Sequence, residues 1–120
     1  MEKEKILFVC TINRMRSATA EKVFENDARY EVRSAGTAEN ATVALTEELL
    51  KWADAIVVME RHHRNKIRKD FPDIFQKKPI VCLYIEDHYD FMQKELVHAL
   101  EDKFEDIVER GLLAVKKDNY

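Results

Sequence analysis

The residues with the clearest chemical potential lie in one stretch near the start of the chain, Cys10-Thr11-Ile12-Asn13-Arg14-Met15-Arg16-Ser17. Five residues separate a cysteine from an arginine and a serine. A loop that runs from a strand end into a helix N-terminus turns successive backbone N–H groups inward, and the helix dipole adds partial positive charge. The same donors stabilise a thiolate, and an arginine can hold two oxygens of a phosphate. The stretch therefore predicts an anion-binding cup with a reactive thiol at its base.

Two further side chains of this stretch are suited to support the cup. Asn13 lies in mid-loop, where a left-handed backbone is expected, and asparagine tolerates that conformation. Ser17 can donate a hydrogen bond to the Cys10 sulfur and stabilise its thiolate. We expect the whole loop to bind phosphate, through Thr11, Ile12, Asn13, Arg14, Met15, Arg16 and Ser17. As a bare pattern the spacing is weak, and a half-buried cysteine with an unrelated arginine downstream is the alternative.

The elements that would position this loop alternate between strands and helices. Apolar runs predict strands at 5–9, 30–34, 55–59 and 80–84. Apolar residues at helical spacing predict helices at 16–28, 46–52 and 95–117, and a polar helix at 61–69 ends before Phe71-Pro72. This order predicts a parallel sheet with helices on both faces, with ligands bound beyond the carboxyl ends of the strands. The candidate site segments are therefore 10–16, 34–40, 60–63 and 85–91.

Size and composition exclude several classes of protein. The chain has 120 residues, 46% of them hydrophobic, which suits a single globular domain over residues 1–120. The net charge of −3 argues against a nucleic-acid binder. The apolar run at 6–10 is too short for a signal peptide or a membrane span. Two cysteines do not form a disulfide framework, so we expect a cytoplasmic protein. The oligomeric state is left open.

Three segments resemble the low-molecular-weight protein tyrosine phosphatase family. They are the stretch from Leu7 to Phe24, the tetrapeptide Ser34-Ala35-Gly36-Thr37 and the late acidic segment Ile85-Glu86-Asp87-His88-Tyr89. For a short, divergent member of this family we expect a three-layer α/β sandwich with a four-stranded parallel sheet of order 2-1-3-4. The resemblance implies hydrolysis of phosphate monoesters, above all protein phosphotyrosine, through a cysteinyl-phosphate intermediate. It implies no metal and no cofactor, and a phosphorylated protein or small phosphoester as substrate.

The family's roles transfer to matching positions in this sequence. Cys10 would be the nucleophile, and Arg16 would bind the phosphate and its transition state. Asp87 would protonate the leaving oxygen and later activate water, with Glu86 and Asp90 as alternative acids. The supporting residues would be Asn13, Ser17 and Ser34. Tyr89 and Phe91 would form an aromatic wall of the substrate slot, or else belong to the core.

Several positions depart from the family pattern. Met15 replaces a second cysteine found in many members, and the sequence does not show whether Cys82, in a predicted strand, can reach Cys10. Ile12 and Ala18 replace a glycine and a proline, and His88 replaces a proline after the acid. Only 17 residues separate Gly36 from Asp54, a region that usually helps to wall the active site. Glu60, where the family often has aspartate, is expected to brace neighbouring loops.

The predicted helix at 61–69 carries several basic residues near the expected cleft. A solvent-exposed face is the simpler interpretation, and electrostatic steering of a phosphorylated substrate is the alternative. His62 and His63 do not share a helix face, so no metal site is expected there.

Three other functions compete with the phosphatase. The first is a phosphate- or phosphopeptide-binding module or phosphocarrier, which would need no acid at Asp87. The second is an arsenate reductase, which needs resolving cysteines. The third is a scaffold with an incidental cysteine.

Overall fold

A computed structural model describes residues 3–113 of the chain. Within this range the strands are β1 (Glu4–Cys10), β2 (Tyr30–Gly36), β3 (Ala55–Val58) and β4 (Ile80–Cys82). The helices are α1 (Arg16–Phe24), α2 (Glu47–Trp52), α3 (Arg61–Asp70), α4 (Pro72–Lys77) and α5 (Lys94–Glu109). All strand pairs are parallel, and the sheet order is β2-β1-β3-β4. The predicted fold class and strand order are confirmed.

Two apolar cores cover the two faces of the sheet, because neighbouring residues of a strand point to opposite sides. On one face Phe8 packs between α1 and α5, with its ring 5.7 Å from those of both Phe24 and Phe104. On the other face Val9 packs with Leu50 of α2 and other buried side chains of α2, α3 and α4. The sheet is therefore the middle layer of three, as expected.

Several of the predicted element boundaries need correction. Helix α1 ends at Phe24 rather than at residue 28, because the chain turns there and Asp27 N–H donates to the Phe24 carbonyl. Pro72 stops α3 and also begins α4, because proline is well suited to the first helical position. Helix α4 was not predicted. Strand β4 ends at Cys82 rather than at residue 84, where Tyr84 has a φ of 57°.

The last helix is also shorter than predicted. It ends at Glu109, and Gly111 follows with a φ of 72° while Leu112 N–H donates back to the Ile107 carbonyl. A glycine in this conformation is a common helix terminator. The predicted extension of the helix to residue 117 includes residues 114–117, which lie outside the described range.

The parallel sheet brings three candidate segments to one edge. Cys10 ends β1, and Glu60 and Asp87 follow β3 and β4; the carboxyl ends of these three strands lie side by side. The segment after β2 joins them, since Gly36 pairs with Cys10. None of the helices in residues 3–113 has the length and apolar character needed to cross a membrane.

Candidate active site

The cup forms where β1 passes into α1. The Asn13 backbone has a φ of 64°, so the loop turns back on itself and directs the Asn13 N–H to the Cys10 sulfur at 3.3 Å. The Ser17 hydroxyl lies 3.0 Å from the same sulfur. Both groups can stabilise a thiolate, and the buried Cys10 lies at the base of the loop, as its position in the sequence predicted.

The side chain of Asn13 connects the cup to the next loop. Its Nδ2 donates to the Ser17 hydroxyl at 2.9 Å, and its Oδ1 accepts the Val43 N–H at 3.1 Å. Asn13 and Ser17 are both buried, so these hydrogen bonds are shielded from water. The arrangement gives Asn13 the supporting geometry that was expected of it.

The segment after β2 clamps the backbone of the cup. The N–H groups of Thr37, Ala38 and Thr42 donate to the carbonyls of residues 10, 11 and 12 at 2.9 to 3.0 Å. This close approach requires glycine at position 36, because a Cβ there would lie 2.5 Å from the Thr11 carbonyl oxygen. The trimmed segment between Gly36 and Asp54 thus still has a structural role at the cup.

Arg16 is buried and held by two other elements. Its Nη1 donates to Glu60 Oε1 at 2.6 Å and to the Ile85 carbonyl at 2.8 Å. Its Nε is buried without a hydrogen-bond partner among the described residues, and Asp87 Oδ1 lies 3.7 Å from it. Glu60 thus braces Arg16, while the guanidinium keeps one donor free.

The Glu60 carboxylate is suited to this role because it is ionised. Partial burial raises its pKa, but hydrogen bonds from Arg16 and His62 lower it, and the pKa is below its ordinary value overall. A charged carboxylate at 2.6 Å forms a strong, charge-assisted hydrogen bond with the guanidinium.

His63 of α3 contacts the cup at Thr11. Its Nδ1 accepts the Glu60 N–H at 2.9 Å, so the proton of a neutral ring is on Nε2, which lies 2.9 Å from Thr11 Oγ1. Burial, followed by the positive charges of His62 and Arg16, lowers the pKa of His63 to about 3. The ring is therefore a neutral donor to the Thr11 hydroxyl.

A cavity of about 220 Å³ opens above the cup. Cys10 and Arg16 form its base and Asp87 its rim, and its remaining lining is Ile12, Arg14 and Met15. The side chain of Asp87 is 61% exposed, so it can exchange protons with water. Glu86 and Asp90, the alternative acids, do not line the cavity. The geometry brings together the three residues predicted to carry the chemistry.

Tyr89 takes the core position that was left open beside the aromatic wall, whereas Phe91 and Ser34 lie elsewhere than predicted. The hydrogen bond from Gln93 N–H to the Asp90 carbonyl and that from Met92 N–H to Thr19 turn the loop away from the cup. Tyr89 consequently packs against the core, and Phe91 is half exposed outside the cavity. Ile12 and Met15 occupy the wall position instead. Ser34 donates to Glu21 and so joins β2 to α1 rather than touching the cup.

The second cysteine cannot reach the first. Val9 pairs with Val58, and Val58 pairs with Cys82, which places Cys82 two strands from β1, at about 10 Å. Cys82 also packs on the Val9 face, whereas Cys10 belongs to the opposite core. A disulfide needs Cα atoms within about 7 Å. Burial raises the pKa of the Cys82 thiol.

One group of residues within the range 3–113 has the proximity of metal ligands. Atoms of Glu60, His62 and His63 lie within 4.8 Å of one another. However, Glu60 Oε1 already bonds Arg16 and His62, and both nitrogens of His63 are in hydrogen bonds. These side chains serve to hold the cup.

Sequence reasoning missed the role of His63, which it assigned to an exposed basic helix. A signal was available, since His63 lies three residues after Glu60 in the first turn of a helix that begins at the functional edge. The partner of His63, however, is Thr11, which is 52 residues away.

Known proteins were compared with this sequence and structure. Residues 5–51 match the model of the low molecular weight phosphotyrosine protein phosphatase family. A search of curated proteins gave no match. A YwlE mutant from Bacillus subtilis is 26% identical, with a TM-score of 0.69, over 90% of this chain and 98% of that chain.

Two further solved structures add to this picture. A YwlE arginine phosphatase mutant with a phosphorylated active-site serine in place of cysteine is 25% identical, with a TM-score of 0.68, over 96% of this chain and 97% of that chain. The low molecular weight protein tyrosine phosphatase from T. tengcongensis is 23% identical, with a TM-score of 0.74, over 90% and 99% of the two chains, and it shows likeness of fold. The family resemblance is confirmed, and the matches support a cysteine-dependent phosphatase with Cys10 in the phosphate-loop position.

Proposed function

Since this chain is a short, divergent relative of the low-molecular-weight protein tyrosine phosphatases, we propose that it hydrolyses phosphate monoesters through a cysteinyl-phosphate on Cys10. The observation that carries the proposal is the free donor of Arg16. Its Nε is buried without a hydrogen-bond partner among residues 3–113, beside a cavity that also contains Cys10 and Asp87. Burying a donor without an acceptor is costly, and a phosphate oxygen would supply that acceptor.

In the first step the Cys10 thiolate would attack phosphorus. A sulfur–phosphorus bond forms, the bond from phosphorus to the substrate oxygen breaks, and Asp87 gives its proton to that oxygen. The backbone N–H groups between Thr11 and Ser17 and the Arg16 guanidinium would stabilise the charge on the transferring phosphoryl group. Ser17 and Asn13 N–H would stabilise the thiolate.

In the second step water would replace the sulfur. Asp87, now a carboxylate, takes a proton from water as its oxygen attacks phosphorus, and the sulfur–phosphorus bond breaks. Inorganic phosphate and the Cys10 thiolate result, so the enzyme returns to its starting state.

We infer that the substrate is phosphotyrosine in proteins. Ile12 and Met15 offer apolar and polarizable contacts for an aromatic ring. Some structural relatives are arginine phosphatases, such as the YwlE mutant with the phosphorylated serine. The cation of Arg14 in the cavity lining would repel the positively charged guanidinium of a phosphoarginine. We therefore favour phosphotyrosine.

The test is hydrolysis of p-nitrophenyl phosphate and phenyl phosphate near pH 6 with EDTA present. Cys10→Ser should abolish turnover of both. Asp87→Asn should lower kcat for phenyl phosphate by about 10²- to 10⁴-fold. It should affect p-nitrophenyl phosphate less, because p-nitrophenolate leaves readily without a proton. Asp90→Asn is the matched control and should change neither rate.

Two outcomes would refute the proposal. If the wild-type protein does not turn over either ester but binds phosphate or vanadate, the cup belongs to a binding module or phosphocarrier. If Asp87→Asn affects both esters no more than Asp90→Asn does, Asp87 is not the acid. An arsenate reductase would instead reduce arsenate with a thiol donor and would hydrolyse neither ester.

A further inference from the structure

A second cavity, of about 560 Å³, runs along the outer edge of β4, and we name it the edge groove. Its floor is the segment Ile80–Tyr84. Arg61 and Arg64 of α3 line one side, and Lys103 of α5 and Arg110, directly after that helix, line the other. The groove is thus a channel between two helices with basic side chains on both walls.

The positive charge of the edge groove is only partly neutralised. Asp106 is its one acidic lining residue and pairs with Arg110 at 3.3 Å. Arg64 lies over the Phe75 ring, with its guanidinium 4.9 Å from the ring centroid. Within residues 3–113, Arg61 and Lys103 have neither an ion pair nor a hydrogen bond from their side chains. The groove therefore has an excess of positive charge in a protein whose net charge is −3.

The floor of the edge groove can pair with an extended chain. β4 is an edge strand and bonds only to β3 in the described sheet. Leu83 N–H donates to the Val58 carbonyl, so in a parallel ladder the alternate residues Ile80 and Cys82 turn their N–H and C=O groups outward. An extended peptide can add to such an edge as a further strand.

One end of the edge groove lies beside residues that hold the cup, both on its α3 wall and on its floor. On the α3 wall, Arg61 follows directly after Glu60, which holds Arg16. On the β4 floor, Tyr84 precedes Ile85, whose carbonyl accepts a hydrogen bond from the same arginine. A chain lying in the groove would thus lead to the residues that surround the phosphate position.

We propose that the edge groove binds an acidic, extended segment that flanks the phosphorylated residue of the protein substrate. This inference rests on the proposed phosphatase activity and specifies its substrate. Carboxylates of the segment would meet Arg61 and Lys103, while its backbone pairs with β4. Opposite charges across an interface raise specificity and the rate of encounter.

The test compares two phosphotyrosine peptides as substrates. One carries four Asp or Glu residues beside the phosphotyrosine, and the other has Asn and Gln in their place. The wild-type protein should show kcat/KM about tenfold higher for the acidic peptide. The double variant Arg61→Glu, Lys103→Glu should lose this preference and should keep its rate with p-nitrophenyl phosphate.

A matched control separates the groove from the overall charge. Lys69→Glu with Lys94→Glu makes the same change in net charge on the same two helices, at exposed positions outside the groove. This variant should keep the preference. Equal kcat/KM for both peptides with the wild-type protein, or an equal loss in the control variant, would overturn the proposal while leaving the phosphatase activity established.

A readout independent of turnover uses Cys82, which lies in the groove floor. In Cys10→Ser it is the only cysteine, so alkylation by iodoacetamide reports on the groove alone. The acidic peptide should protect Cys82, and the amide peptide should not. If Cys82 reacted equally in the presence of either peptide, the proposal would be overturned, whatever the phosphatase assay showed. If an oligonucleotide of the same charge protected Cys82 as well as the acidic peptide does, the groove would be a site for polyanions in general.

Discussion

Replacing His63 should change how the stability of the protein depends on pH. The pKa of His63 falls from 6.5 to about 3 in the folded protein, chiefly because the ring is buried. Below pH 6.5 the unfolded chain binds a proton at this residue, whereas the folded protein does not. Falling pH therefore favours unfolding by about 1.4 kcal/mol per pH unit, so His63 lowers the free energy of unfolding by about 2 kcal/mol between pH 8 and pH 5.

His63→Asn removes this titration and keeps part of the geometry. The asparagine Oδ1 can replace Nδ1 as acceptor for the Glu60 N–H, but the hydrogen bond to Thr11 is lost. The variant should be less stable than wild type at pH 8, and the difference should shrink by about 2 kcal/mol at pH 5. Urea unfolding followed by the fluorescence of Trp52 measures both values.

The exposed neighbour His62 provides the matched control. His62→Asn removes a histidine without touching Thr11, so the protein should keep the steep pH dependence of the wild type. If His63→Asn and wild type instead lost stability in parallel from pH 8 to pH 5, the ring would be taking up its proton in the folded protein. The inference of a neutral, buried donor to the cup would then be wrong.

Two further predictions concern the cup. Gly36→Ala should destabilise the protein by about 1–3 kcal/mol and raise KM, because its Cβ would lie 2.5 Å from the Thr11 carbonyl oxygen. Gly111→Ala is the control, because its φ of 72° strains an alanine whose Cβ meets no other atom. It should lower stability without changing KM. An equal rise in KM for the two variants would refute the role of Gly36 at the cup. Hydrogen peroxide should oxidise Cys10 to a sulfinic acid that dithiothreitol cannot restore, since Cys82 lies on the opposite face of the sheet. Mass spectrometry that found a disulfide between the two cysteines would contradict this.

Much of the fold could be predicted because local patterns and tertiary packing agree. The apolar runs that became β1 and β3 are buried on both faces, and such strands leave a continuous signal in the sequence. One error lies where a single residue has two possible effects. Pro72 both ends α3 and begins α4, and the sequence does not show which effect extends further.

The site was predictable only where its geometry is local. Seven consecutive residues contain both Cys10 and Arg16, and their spacing indicates a cup once a strand is predicted before it and a helix after it. The contacts that hold the cup join residues far apart, such as Thr11 with His63. A pattern on one segment cannot specify a partner on another. The position of Phe91 outside the cavity has the same origin, since the turn that carries it away depends on Thr19 of α1.

Arg16 contacts two carboxylates that differ in exposure and in their distance from the guanidinium, and this difference matters for the proposed mechanism. Glu60 is the less exposed and bonds Nη1 at 2.6 Å, whereas Asp87 is 61% exposed and lies 3.7 Å from Nε. A phosphate bound at Nε would compete with Asp87 for the guanidinium but not with Glu60. Substrate binding would thus free Asp87 from the guanidinium, while Glu60 keeps Arg16 aimed at the phosphate.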